Sequence, residues 1–166
     1  MELQKAKDQF INTWGELGCN WGICRTMGHI HALLLISPEL MSAEEIMRDL
    51  KISRGNANMN LRALIDWGLV YRKSKQGERK DFYEAEKDFW NVFRKTLRKR
   101  KEKELSPMVS MIKDLHTVEP KCAHSQEFKN VISNLDSISK AADNVLEKML
   151  NSESNLLLNT FVRVMR

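Results

Sequence analysis

Between residues 42 and 85 the chain is punctuated so tightly that few folds remain open to it. Ser42-Ala43-Glu44-Glu45 is a capping box, with Ser42 as N-cap and Glu45 reaching back to it. Ile46, Met47 and Leu50 then face a core on a helix of about eight residues. Lys51-Ile52 is a short turn, and Ser53 caps a second helix that runs to about Trp67. Gly68 suits the left-handed position that closes it. Two short helices across a tight turn read as a helix-turn-helix. Leu69-Val70-Tyr71-Arg72-Lys73 is β-prone, Ser74 to Glu78 is a polar turn, and Asp81-Phe82-Tyr83-Glu84 is the return strand. A hairpin placed directly after a helix-turn-helix is a wing. The expected fold class is mainly α, a winged helix-turn-helix with a two-stranded wing.

The second helix of that motif carries the chemistry. On a helical wheel Ala57, Leu61, Leu64 and Ile65 form a core side. Gly55, Met59, Arg62 and Ala63 lie opposite, flanked by Arg54 and Asn56. The helix holds no Glu, and its one Asp, Asp66, sits in the last turn, whereas a solvated helix usually has several acids. Such a face suits a major groove. Arg54 or Arg62 can pair with guanine O6 and N7, Asn56 or Asn58 with adenine N6 and N7, and Met59 with a thymine methyl. Gly55 lets the helix start approach a phosphate. The candidate recognition set is therefore Ser53, Arg54, Gly55, Asn56, Asn58, Met59, Asn60 and Arg62, the bland alternative being a plain helical surface. On the wing, Arg72, Lys73, Lys75, Arg79 and Lys80 are placed for a phosphate backbone or a minor groove, with Arg79 at the tip.

Positive charge is concentrated here. Residues 71–103 hold thirteen Lys/Arg against six Asp/Glu, while the whole chain carries only +5. Arg94, Lys95, Arg98, Lys99, Arg100 and Lys101 fall in a stretch with no acid. That run reads equally as a backbone contact or as a solvated face.

The flanks are helical. Leu3, Ala6, Phe10, Trp14 and Leu17 share one face, with Gly15 and Gly18 blurring the end. A second helix spans about Ile23 to Ile36, stopped by Ser37-Pro38. After the wing, Phe89, Phe93 and Leu97 share a face. Pro107 fits the first turn of a further helix, whose Met108, Met111, Ile112, Leu115 and Val118 are expected inward. Phe128, Val131, Leu135, Ile138, Ala142, Val145 and Met149 are spaced alternately three and four apart, an a/d heptad. That stripe is the candidate dimer interface, joined by the first helix and by the apolar tail Leu156-Leu157-Leu158, Phe161-Val162 and Val164-Met165. The expected domains are 1–106, DNA-binding, and 107–166, dimerisation.

Ser53 to Arg62, followed by Asp66-Trp67-Gly68-Leu69-Val70, resembles the GbsR-type branch of the MarR-like transcriptional regulators. Gly77-Glu78-Arg79-Lys80 and Glu84 to Trp90 resemble its wing and following helix, and Gly28 to Leu34 its second helix. The resemblance covers roughly residues 20 to 107. It implies a winged-helix homodimer that binds operator DNA and represses transcription. More loosely, it implies a small-molecule effector, which in some members is choline held in an aromatic box. That box is not carried over: Trp14, Trp21, Trp67 and Trp90 offer cation–π faces, but tryptophans at helical spacing are more often core. A symmetric dimer would set two recognition helices about 34 Å apart on a near-palindromic double-stranded operator. The expected mechanism is operator occlusion, relieved when a ligand changes the separation of the two heads.

Other chemistry is less well supported. At 166 residues the chain can bury a core without a staple. It has no run of eighteen apolar residues to span a membrane and no apolar N-terminal leader. Three cysteines are expected reduced, in a cytoplasm. Cys19, Cys24, His29 and His31 suggest a metal, but Cys24 and His31 lie about 10.5 Å apart along a helix axis. His116, Cys122 and His124 form a second loose group, and thiol sensing at Cys19, Cys24 or Cys122 has no visible activating feature. No phosphate loop or nucleophile motif is present, so neither an enzyme nor a cofactor is expected. The rivals are a sequence-neutral DNA-coating protein held by the Arg94 to Lys101 run, and a protein-interaction module with no DNA partner.

Overall fold

A computed structural model describes residues 1–20 and 22–151. Trp21 and the apolar tail beyond residue 151 lie outside the described residues, and with them the expectation that the tail docks. The chain forms two compact units that divide between Val92 and Phe93, earlier than the division near residue 106 that the sequence suggests.

In the first unit α1 (Leu3–Asn20) and α2 (Arg25–Ile36) form an antiparallel pair. Gly15 and Gly18 do not end α1. Gly15 is buried against α2, and a Cβ on Gly28 would sit 2.8 Å from the Gly15 Cα. The two backbones meet where neither carries a side chain. The connection closes with Gly22 at φ 76° and the Ile23 N–H donating to the Gly18 carbonyl at 2.8 Å.

β1 (Met41–Ser42) precedes α3 (Ala43–Leu50), and α4 (Arg54–Asp66) follows. The capping box forms as expected. The Ser42 N–H and hydroxyl both donate to Glu45 Oε2 at 2.7 Å, and Ser42 Oγ accepts from the Glu45 N–H at 3.4 Å. Those bonds, the Ser42 N–H foremost, hold the Glu45 carboxyl below its ordinary pKa. Lys51, at φ 53°, makes the left-handed turn between the two helices. Gly68 (φ 69°) turns the chain into β2 (Val70–Ser74), and Gly77 (φ 84°) lies in the loop before β3 (Asp81–Ala85). The sheet is antiparallel in the order β1-β3-β2, with Met41 opposite Tyr83 and Val70 opposite Ala85. The wing is legible in the sequence and β1 is not, because two residues are too few to show a period-two pattern.

Ile30, Leu34, Ile46, Leu61, Leu64 and Val70 are all but fully buried, and Met27, Leu69, Tyr83, Ala85 and Val92 complete the core. Each such aliphatic side chain contributes about 1.5–3 kcal/mol over an exposed one. The core joins α2, α3, α4 and the sheet, so α4 is held along one side.

α5 (Phe89–Arg100) carries the chain into the second unit. Val92 is its buried residue, whereas Phe89 and Phe93, which share a face with Leu97, are 58% and 36% exposed. The second unit continues through a π-helical turn (Lys101–Leu105) into α6 (Ser106–Leu115), and then α7 (Ala123–Asn151). Ser106-Pro107 does not interrupt the helical path, because Pro107 occupies the first turn of α6, where its missing N–H costs little. On α6 only Ile112 is fully covered, and the expected inward residues Met111 and, just beyond, Val118 are exposed.

α7 forms over the whole predicted heptad span, but its buried positions are Ile132, Ser139 and Leu150. Ser139 Oγ donates to the Leu135 carbonyl at 2.7 Å. Leu135, Ala142 and Met149 of the heptad are half-buried, while Phe128, Val131, Ile138 and Val145 are 39–68% exposed.

Candidate nucleic-acid interface

α4 starts where Ser53 Oγ accepts the Asn56 N–H at 3.3 Å, satisfying one of the free donors of the first turn. Its buried face is Ala57, Asn60, Leu61 and Leu64. Ser53, Arg54, Gly55, Asn58, Met59 and Arg62 are exposed, Met59 at 62%. Arg54 and Arg62 have no ion pair among the described residues. No atom lies within 4 Å of where a Gly55 Cβ would stand, so the helix start is open to a bulky neighbour such as a phosphate.

Three expectations for this helix need correction. Asn60 is not an outward residue: it is only 3% exposed, and its amide donates to the Asn56 carbonyl at 2.8 Å and to Asn56 Oδ1 at 2.7 Å. Ile65, assigned to the core, is 38% exposed, and Ala63, assigned outward, packs against the core. A wheel gives angles between residues, but the covered side is set by where α2, α3 and β2 lie. Here that side is turned toward Asn60 and away from Ile65.

The wing presents residues 71–80 entirely to solvent. Arg72 pairs with Asp81 (3.3 Å), Lys73 with Glu84 (3.1 Å) and Lys80 with Glu78 (3.7 Å). Lys75 Nζ stands 4.3 Å from the centroid of the Phe82 ring and Lys80 Nζ 5.3 Å. Exposed pairs of this kind are worth about 0–1 kcal/mol, so these cations exchange readily onto a polyanion. Arg79 has no ion pair among the described residues.

The basic run of α5 is different. Lys99 pairs with Glu102 at 3.8 Å, Arg100 with Glu104 at 3.0 Å, and Lys101 with both Asp143 (3.1 Å) and Glu147. The Glu147 bond raises the Lys101 pKa. Lys99, Arg100 and Lys101 are thus matched within their own unit by acids that lie a turn later or on α7.

Aromatic residues gather where α1 meets α2. Trp14 Nε1 donates to His31 Nδ1 at 3.2 Å, with Phe10 and Phe89 at centroid distances of 5.5 and 6.1 Å from Trp14. His31 is 4% exposed, its Nε2 is buried without a partner among the described residues, and burial lowers its pKa to about 4. Trp67 lies at the edge of the core. The three cysteines are exposed and unpaired by disulfides. The Ser125 hydroxyl beside Cys122 lowers that thiol's pKa, a feature invisible in sequence because it depends on the turn that starts α7. Among the described residues no three His, Cys, Asp or Glu side chains converge as metal ligands, and no helix is long and apolar enough to cross a membrane.

No protein-family model matches the chain. It is 26% identical over 112 residues to the HTH-type transcriptional repressor GbsR of Bacillus subtilis (strain 168), a match covering 68% of this chain and 62% of that one. It is 24% identical over 91 residues to the putative HTH-type transcriptional regulator YvaV of the same organism, covering 55% of this chain and 51% of that one. The HTH-type transcriptional repressor OpcR matches at 22% over 91 residues, covering 55% and 49%. The matches thus span half to about three fifths of these relatives' lengths. Among solved structures, the crystal structure of a transcriptional regulator superposes with a TM-score of 0.60 at 21% identity, covering 86% of this chain and 99% of that one. The resemblance read from residues 20 to 107 is therefore met by relatives of the same kind, and the mainly helical fold with a small antiparallel sheet is shared with a transcriptional regulator.

Proposed function

We propose that the chain is a sequence-specific DNA-binding transcriptional regulator that acts as a symmetric homodimer. The observation that carries this reading is α4. One side is locked into the core, and the other offers Arg54, Asn58, Met59 and Arg62 beside a wing of exposed cations. In this reading α4 enters the major groove, and Arg72, Lys73, Lys75, Arg79 and Lys80 lie along the backbone. The names of the similar proteins support it, and their repressor members favour operator occlusion. A small-molecule effector, acting by favouring one separation of the two heads, completes the proposal. The exposed stripe Phe128, Val131, Ile138 and Val145 is the proposed site for a second copy, because its heptad spacing is that of a helix seam and water is a poor partner for it.

The test is fluorescence anisotropy with duplex DNA from upstream of the chain's own gene, beside a shuffled duplex, at about 0.15 M salt. A preference of at least about 10³-fold is expected. Equal weak binding to this duplex and to every duplex drawn from a random pool would refute sequence reading and favour the coating role.

A further inference from the structure

The buried Asn60 determines what Asn56 can recognise. The two Asn60 amide hydrogens go to the Asn56 backbone carbonyl (2.8 Å) and to the Asn56 side-chain oxygen (2.7 Å). A backbone carbonyl only accepts, so the Asn60 atom facing it is the nitrogen. That nitrogen only donates, so the Asn56 atom facing it is Oδ1. One unambiguous acceptor thereby orients both amides. Asn60 is 3% exposed, so water does not compete for these bonds. Asn56 itself is half-buried in the first turn of α4, its backbone N–H already donated to Ser53 Oγ. Its Nδ2 is not among the buried unsatisfied atoms and has no partner among the described residues. One of the two lone pairs of Asn56 Oδ1 is taken by Asn60, which holds the amide with Oδ1 turned toward the buried Asn60 and Nδ2 turned away from it.

This matters because adenine recognition by asparagine needs both ends, Oδ1 accepting from N6 and Nδ2 donating to N7. Resting on the DNA-reading function proposed above, we infer that Asn56 acts as a fixed donor toward an acceptor, either guanine O6/N7 or a phosphate oxygen, and that Asn60 is the positioning residue that imposes this polarity. Asn58, exposed and without such a tie, keeps both ends for adenine.

The test has two arms. In the free 166-residue chain, proton exchange of side-chain amides is followed by NMR. Asn60 NH2 protons are expected to exchange far more slowly than those of Asn58, and equal rates would overturn the inference. In the second arm, duplexes are selected from a random pool by wild type, Asn56→Ala and Asn60→Leu. Asn56→Ala should relax a guanine by about tenfold at one position of each half-site, or weaken all duplexes evenly if the acceptor is phosphate. Asn60→Leu, or Asn60→Ser should the first fail to fold, should shift preference toward adenine. A wild-type preference for adenine at the Asn56-dependent position, lost when that adenine is replaced by purine lacking the N6 amino group, would overturn it. A pool that yields no preferred duplex with wild type refutes sequence reading itself, before either variant is compared.

Discussion

His31 should make the first unit sensitive to mild acid. It is neutral in the fold, with Nδ1 accepting from Trp14 Nε1–H at 3.2 Å and only 4% of its surface exposed. Protonation would set a new N–H against the Trp14 N–H and would place a charge where burial already lowers the pKa from 6.5 to about 4. The unfolded chain therefore binds the proton first. Stability from this residue is complete above pH 6.5 and is lost as pH falls toward 4. At about 1.4 kcal/mol for each tenfold change in proton affinity, the loss is about 2 kcal/mol by pH 5 and about 3 kcal/mol at its limit. Urea titration from pH 7.5 to 4.5, followed by tryptophan fluorescence, reads this directly, because all four tryptophans precede residue 93. Carboxylates also titrate in the lower part of that range, so the comparison is with His31→Asn, which keeps an acceptor near Trp14 but does not titrate. Wild type should lose about 2 kcal/mol more than the variant between pH 7.5 and 5. Parallel profiles would refute the argument that His31 is buried neutral.

Five further outcomes are expected. Gly28→Ala should destabilise the first unit in urea titrations by about 1–3 kcal/mol, since its Cβ meets the Gly15 backbone. Gly55→Ala, with open space around it, should leave folding intact or slightly strengthen it and weaken DNA binding in the anisotropy assay. Ser42→Ala should cost about 0.5–2 kcal/mol at neutral pH. Because the Glu45 pKa is lowered, its part of that stability is present above the ordinary carboxylate range and fades as pH falls through it, so the gap between wild type and variant should narrow in acid. Arg62→Ala should lower discrimination between operator and shuffled duplex, whereas Lys75→Ala should weaken both alike and reduce the salt slope by about one. Ile138→Glu should shift the sedimentation coefficient from dimer to monomer, and an unchanged value would remove the α7 stripe from the proposed interface.

Much of the motif was legible because its causes are local. Ser42 with Glu45, Ser53 before α4, Gly68 and Gly77 at positive φ, and the β-prone runs of β2 and β3 on either side of a polar turn each depend on atoms within a few residues. A capping bond or a left-handed turn has the same energetics wherever the chain later packs. The exposed candidates Arg54, Asn58, Met59 and Arg62 were legible because, once the helix is placed, their outward positions follow from the 3.6-residue period, and the wing cations because they sit in and beside a polar hairpin turn. What those periods cannot say is which side another element will cover. That α4 turns Asn60 inward and Ile65 outward was decided by how α2, α3 and the sheet meet it. Asn60 then takes the Asn56 oxygen because burial leaves it no water. The pairing of Met41 with Tyr83, the contact of Gly15 with Gly28, and the matching of Lys101 by Asp143 and Glu147 join residues distant in the chain. Chain order alone therefore determined the helices, the turns and the chemical character of one exposed face. Tertiary packing decided which of those side chains face solvent, and which are already engaged by partners far away in sequence.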